Sequence, residues 1–354
     1  MSGALVYLIS KGAQDVYIND KLSRTHMLKY SRFKNFSEFP EQILFNNDVK
    51  NRSTSIIQIN RSGDLLTQLW LEGDDLLSNL AECEFRFLIG GQQIDLQTFD
   101  YMADIWQIYM AENNSKSKII NNFVSKTDDN FFPLHFFFCD NQKFLPLIAL
   151  QYYNVEIQIK WGPNIENVNN LKMFGNYVLL DQVERNYLSK NRLDFLITQV
   201  QRLPFTNEKK FNLRSLNHPV KAIFFGFEST NPVPSTDTWT FDEASLTLNE
   251  SFVFEKMKPS FFHTVQSYYY TDNAVVGFDN TYNTPVYTRY YMYSFGNKVN
   301  TYSTSGTCNF SRIGNAFLNI TNAVNRTSKN IKVYAVNYNV LRIQDGMGAL
   351  LFSN

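Results

Sequence analysis

The 354-residue chain has 33 basic and 33 acidic side chains and no formal net charge, so it lacks the Lys and Arg excess with which a protein wraps nucleic acid. Its length exceeds the roughly 250–300 residues beyond which one core usually divides, so two domains are expected. Hydrophobic residues make up 44% and aromatic residues 16%, with 31 Phe and 20 Tyr, a bias toward pleated, half-buried surfaces that predicts an all-β protein. Residues 1 to 20 have helical spacing, with Leu5, Leu8, Ile9, Gly12, Ala13 and Val16 on one face. This reads either as a terminal helix packed on its own domain or as an amphipathic arm that docks on a neighbour. The apolar run Ala4 to Ile9 is too short for a signal-peptide core or a membrane span. From Thr25 onward, short strands alternate with turns. Cys83, Phe85, Phe87 and Ile89 form a dry face, and Gly90-Gly91 turns the chain toward Ile94 and Leu96, a hairpin. From Thr98 to Met110 the period changes. Phe99, Met102, Ala103, Trp106, Tyr109 and Met110 share a helical face with Thr98 as cap, which reads as a connecting helix laid over a sheet rather than a cofactor box.

Asn113 to Asn130 is polar and reads as an exposed loop. The run Phe131 to Cys139 is the most apolar of the first half, and His135 within it reads as a core or interface histidine rather than a ligand. Val155, Ile157, Ile159 and Trp161 alternate with polar residues until Gly162-Pro163 stops the strand. Another strand ends near Asp181, where Asp181 to Glu184 has the form of a capping box for a short helix to about Lys190. A new strand begins at Leu193. The domain boundary is placed between Asp181 and Leu193, which gives an arm over 1–20, a first domain over 21–185 and a second over 186–354. Equal halves suggest a duplicated architecture, although no residue-level repeat is visible.

The second half repeats the style. Val220 to Phe227 is a buried strand, Leu246 and Leu248 are the dry face of another, and Arg289 to Phe295 is an aromatic strand between loops Thr271 to Pro285 and Gly296 to Thr307. In the closing stretch Ala316, Leu318 and Ile320 alternate with Asn315, Phe317 and Asn319. After them Ile331, Val333 and Ala335 are apolar on one face and Tyr334, Val336, Tyr338 and Val340 on the other, so this last strand needs cover on both sides. Gly346-Met347-Gly348 reads as a flexible turn. Short strands with turn signals at this density predict a pair of β-sandwiches of Greek-key or jelly-roll type.

Catalysis has no foothold in these patterns. His26, His135, His218 and His263 begin no H-x-D or H-x-E pair, which argues against a jelly-roll metalloenzyme. No phosphate-cradling loop, dinucleotide fingerprint or nucleophile elbow is present. Asp74-Asp75 and Asp128-Asp129 read as solvated turns rather than an acid/base dyad. Cys83, Cys139 and Cys308 are sparse and unpaired in spacing, which fits a reducing, cytosol-like compartment and neither a disulfide framework nor a zinc site. No catalytic residue, cofactor site or metal site is therefore assigned. The eight N-x-Ser/Thr sequons are expected by chance in a chain this rich in Asn, Ser and Thr.

Gly12 to Tyr17, Phe131 to Cys139, Leu145 to Tyr152, Asn217 to Lys221, Ser305 to Ile313 and Asn339 to Ile343, in order along nearly the whole chain, resemble the major capsid protein of the nucleocytoplasmic large DNA viruses of phycodnavirus and iridovirus type. The resemblance implies two consecutive antiparallel jelly-roll β-sandwiches (a double jelly roll) with short connecting helices, and a homotrimer forming a pseudo-hexagonal capsomer that tiles an icosahedral shell. It also implies minor capsid proteins on the inner side, where Gly12 to Tyr17 would lie, and an internal membrane nearby that the chain does not span. Asp181 to Lys190 would be the inter-domain connector. Outer loops are expected among Asn113 to Asn130, Asn231 to Trp239, Thr271 to Pro285 and Gly296 to Thr307. The expected place is the virion, after synthesis and assembly in the host cytoplasm, with no direct contact to nucleic acid. The alternatives are a minor or vertex-associated capsid paralogue, a membrane-templating scaffold and a jelly-roll carbohydrate-binding protein whose site would draw on Thr271 to Tyr287.

Overall fold

In the computed structural model, Cys83, Phe85, Phe87 and Ile89 are all buried, and the residues between them are not. That period of two sets the pattern for the fold. The structure describes residues 35–112, 131–140, 143–203, 210–227, 241–272, 278–279, 284–285, 290–301, 304–321 and 331–352. The predicted arm with Leu5, Leu8, Ile9, Gly12, Ala13 and Val16, and the loops predicted at 113–130 and 231–239, lie outside the described residues.

The first half runs β1 (Phe36–Ile43), β2 (Thr54–Gln58), β3 (Leu65–Asp74), β4 (Glu84–Ile89), β5 (Gln92–Thr98), a π-helix (Tyr101–Met110), β6 (Phe131–Pro133), β7 (Leu145–Pro146), β8 (Val155–Lys160) and β9 (Asn169–Leu180). A connector helix (Gln182–Lys190) follows, and the second half runs β10 (Leu193–Arg202), β11 (Lys210–Asn212), β12 (Pro219–Phe227), β13 (Glu243–Leu248), β14 (Ser251–Met257), a π turn (Phe261–Val265) continuing into a helix (Gln266–Tyr270), β15 (Phe278–Asp279), β16 (Thr284–Pro285), β17 (Tyr290–Ser294), β18 (Cys308–Asn309), β19 (Ala316–Thr321), β20 (Ile331–Gln344) and β21 (Met347–Leu350).

Pairing sorts these strands into two sandwiches of one design. The first faces a sheet ordered β1-β9-β3-β6 against one ordered β2-β8-β4-β5; the second faces β10-β20-β12-β17 against β11-β19-β13-β14. Every pair is antiparallel. In both, the first strand lies beside the last long one, and the third long strand lies beyond that, the wrapping of a jelly roll. Both also place a helix between the strand ending at Thr98 or Met257 and the strand that returns to the opposite sheet. The duplication that no residue repeat betrays is plain in strand order.

Expected elements recur with sharper detail. The hairpin turns through Gly90 and Gly91, both at positive φ, as a two-residue hairpin of this hand requires. Asp181 caps the connector helix by accepting from the amide of Gln182 at 2.7 Å. Only Phe131–Pro133 of the apolar run is strand; Leu134, Phe136, Phe137 and Phe138 are buried irregular chain. The two closing runs are two strands, β19 and β20; β20 continues from the second run through Asn339 to Gln344, and its two apolar faces do have separate cover. Val333 and Ala335 enter the core of the second sandwich, while Tyr334 and Val336 join the larger core that fills the first.

Candidate functional site

That shared strand sits at a seam between the sandwiches, and the π-helix is the wedge. Thr98 accepts from the amide of Tyr101 at 3.3 Å, and the amide of Ala111 donates to the carbonyl of Trp106 at 2.8 Å, five residues back. The 3.6-residue spacing predicted one dry face; the helix is instead buried all round, Gln107 included, because it lies over the outer sheet of the second sandwich as well as against its own. Trp106 stacks on His135 with ring centroids 3.5 Å apart, so this half-buried histidine packs against the helix. Tyr109 donates to the carbonyl of Tyr290 at 2.6 Å and lies 5.6 Å from the Phe224 ring. Thr98 and Tyr334 share a hydrogen bond between hydroxyls at 2.9 Å. Lys332 Nζ reaches Asp100 Oδ2 at 3.2 Å with both side chains buried.

A second line of contact joins β5 to β10. Asp95 Oδ1 accepts from the amides of Val200 and Leu96, each at 2.9 Å, and Oδ2 from Gln97 Nε2 at 2.7 Å. Gln199 donates to the carbonyl of Ile94 and accepts from Asn339 at 2.8 Å. Arg202 pairs with Glu84 across the seam at 3.0 Å. The hairpin at Asp345-Gly346 completes it. Both residues have positive φ, the Gly346 carbonyl accepts from the amide of Tyr152 at 3.0 Å, and a Cβ on Gly348 would stand 2.7 Å from Leu150. The glycines read as a flexible turn are a fitted contact.

Burial raises the Asp95 carboxyl from its ordinary 3.8 to about 6, against the opposing pull of its amide donors. A carboxyl whose folded pKa is raised contributes stability that is fully present below its unfolded value and is lost as pH rises through the folded one. The stability difference between wild type and Asp95→Asn should therefore shift against wild type by up to roughly 3 kcal/mol between about pH 4 and 7. Urea midpoints measured across that range check this; parallel pH profiles would contradict it.

Chemistry is not what this surface offers. A polar cavity of about 40 Å³ at the seam, lined among others by Gln97, Asp140, Lys143, Lys221 and Thr301, has room for a water rather than a substrate. Burial pushes the Cys83 thiol up to about 12 and also raises Cys139 and Cys308, and all three are free. Thiols held neutral in this way are poor nucleophiles. Asp74, the exposed last residue of β3, accepts from Asn170 at 2.8 Å. Among the described residues no three His, Cys, Asp or Glu side chains converge to hold a metal.

What remains open is apolar. On the outer face of the first sandwich, Trp70 of β3 and Phe174 of β9 are register partners with rings stacked 5.7 Å apart. Beside them a groove of about 180 Å³ is lined by Gln68, Trp70, Trp106, Gln107, Phe131 and Pro133 among others. On the second sandwich, Val265, Tyr268 and Tyr269 of the helical segment are exposed. Alternation and turn signals do not mark Trp70, Phe174, Val265, Tyr268 or Tyr269 as surface features; the one signal available for them is the run Tyr268-Tyr269-Tyr270, too aromatic for a solvent-facing helix end. The residues it did single out, on the arm, lie outside the described residues.

Two sandwiches of identical strand order, welded by a buried helix and with no catalytic constellation among the described residues, define a double jelly-roll protein built for packing. The same fold occurs in the capsid of Paramecium bursaria Chlorella virus 1, with a TM-score of 0.77 and 24% identity over 94% of this chain and 100% of that one. It also occurs in the Faustovirus major capsid protein, with a TM-score of 0.65 and 10% identity over 96% of each. Residues 184–349 match the large eukaryotic DNA virus major capsid protein family, and residues 79–181 match the major capsid protein N-terminus. The major capsid protein of Pyramimonas orientalis virus is 31% identical over 100% of both chains, and that of Paramecium bursaria Chlorella virus 1 is 27% identical, also over 100% of both. The chain belongs to the major capsid protein family of large eukaryotic DNA viruses. It is a structural protein of the virion and not an enzyme.

Proposed function

We propose that this chain is the principal shell protein of its virus and acts as a homotrimer, with an arm (1–20), a first jelly roll (21–185) and a second (186–354) as its working parts. The observation that carries this reading is the repeated strand order within one chain. Two like sandwiches give each subunit two pseudo-equivalent sides, so three subunits approximate a hexagon, and a closed ring satisfies head-to-tail contacts that would otherwise propagate. Hexagonal capsomers tile an icosahedral shell, and a chain of zero formal net charge lets their edges abut without a strong repulsive field. The face formed by Leu5, Leu8, Ile9, Gly12, Ala13 and Val16 docks on minor capsid proteins at the inner side, next to an internal membrane. No helix among the described residues is long and apolar enough to cross that membrane. Assembly takes place in the host cytoplasm.

Quantitative mass spectrometry of purified virions tests this reading. The chain should be the most abundant shell protein; a few copies per particle would make it a minor or vertex paralogue, and its absence from mature particles would make it a scaffold. In the same system, deleting residues 1 to 17 should leave the capsomer intact and impair shell assembly. Loss of folding on that deletion would make the segment part of the core.

A further inference from the structure

The seam inside the chain has an unfilled counterpart. In the second sandwich, Phe224 of β12 and Tyr334 of β20 are register partners on the outer face, and the π-helix lies over them, with Tyr109 near its end 5.6 Å from the Phe224 ring and Tyr101 at its start 6.1 Å from the Tyr334 ring. Ile108 and Tyr109, the third- and second-to-last residues of Tyr101–Met110, are only 6% and 2% exposed there. In the first sandwich, Trp70 of β3 and Phe174 of β9 are register partners on the equivalent strands of the equivalent outer face, and they are only half-buried. The matching helix end is open too. Tyr268 and Tyr269, the third- and second-to-last residues of Gln266–Tyr270, are 79% and 68% exposed. Each sandwich thus has an aromatic pair on its outer sheet and a helix end shaped to cover such a pair. One chain joins one of its two helix ends to one of its two pairs.

We infer that Tyr268 and Tyr269 of one copy seat on the Trp70–Phe174 face of the next, repeating between chains the contact that Tyr109 makes within a chain. The groove of about 180 Å³ between Trp70, Trp106, Phe131 and Pro133 receives a tyrosine ring. The apolar rings are buried while the tyrosine hydroxyls reach the rim, where the exposed side chain of Gln68 offers a partner. The occupant is a second copy of this chain because, among the described residues, the pattern that specifies how such a face is covered is the chain's own internal seam. The contact is head-to-tail, and three copies close it into a ring in which six like contacts alternate, three within chains and three between them. The upper part of the same outer face is already capped by Leu188 of the connector helix over Leu65 and Val178, which confines the approach to the Trp70 end. This rests on the trimer reading above and assigns it a contact.

Light scattering of the full-length chain under reducing conditions, in parallel with variants, tests it. Wild type and the Tyr268→Phe/Tyr269→Phe variant should be trimers. Tyr268→Asp/Tyr269→Asp on one side, and Phe174→Asp on the other, should each weaken association at least 100-fold with the melting temperature of the monomer unchanged. A Tyr269→Cys/Gln68→Cys double variant, oxidised as the assembled protein, should run as linked multimers on a denaturing gel, and this readout needs no destabilising charge. Trimers that persist in both Asp variants with no cross-linking overturn the assigned contact and leave the trimer standing. A wild-type chain that is monomeric overturns both.

Discussion

Replacing Lys332 with Ala should lower the stability of the chain by about 3–5 kcal/mol, because it leaves the Asp100 carboxylate buried without its ammonium partner. The pair lies across the seam at 3.2 Å, with side chains 7% and 4% exposed, so neither solvent nor salt screens the loss. The double variant Lys332→Met/Asp100→Leu should recover most of it, since replacing a whole buried pair by apolar side chains of similar volume is often neutral. Urea unfolding of the three proteins reads both numbers. A loss below about 1 kcal/mol in the single variant, the range of an exposed pair, would mean that the seam is wet and the sandwiches are loosely joined.

Tyr334→Ala should cost a further about 3–5 kcal/mol, the usual range for emptying a buried aromatic site. The Tyr334 ring is fully buried, 6.1 Å from Tyr101 and 5.8 Å from Tyr290, and its hydroxyl meets Thr98. Tyr334→Phe keeps the packing and loses one hydrogen bond, for about 1 kcal/mol. Its position on β20 matters as much as its size. Neighbouring Val333 and Ala335 belong to the other core, so damage here loosens both sandwiches together. Calorimetry should show one transition in wild type and a single, lower one in Tyr334→Ala. Two separated transitions in wild type would show that the sandwiches melt independently and that the seam does not couple them.

Much of the fold was legible because strands with one wet face write their burial into every second residue. Cys83 to Ile89, Val155 to Trp161 and Ala316 to Ile320 could each be read that way, and each is buried as the alternation demands. The last strand was legible in a weaker sense. Two apolar faces at Val333 to Val340 implied two covers without saying what they were, and the answer depends on a helix far away in the chain. The π-helix could not be read correctly from a 3.6-residue pattern, since a segment buried on every side has no wet face to set a period. Gly346 and Gly348 look like any flexible turn until Tyr152 and Leu150 are seen against them. The open surface was the least legible. Trp70 and Phe174 become a feature only when β3 and β9 pair, and Tyr268 and Tyr269 look like core residues until the helix is placed. The duplication itself left no residue repeat because a jelly roll constrains strand order and alternation rather than particular side chains.

On the proposal above, this chain is a pair of jelly rolls that closes on two more copies of itself. Multi-angle light scattering of the full-length protein at micromolar concentration in reducing buffer tests that most directly. The expected result is one species of three times the chain mass, held without disulfides. A species of single-chain mass across the whole micromolar range would contradict it.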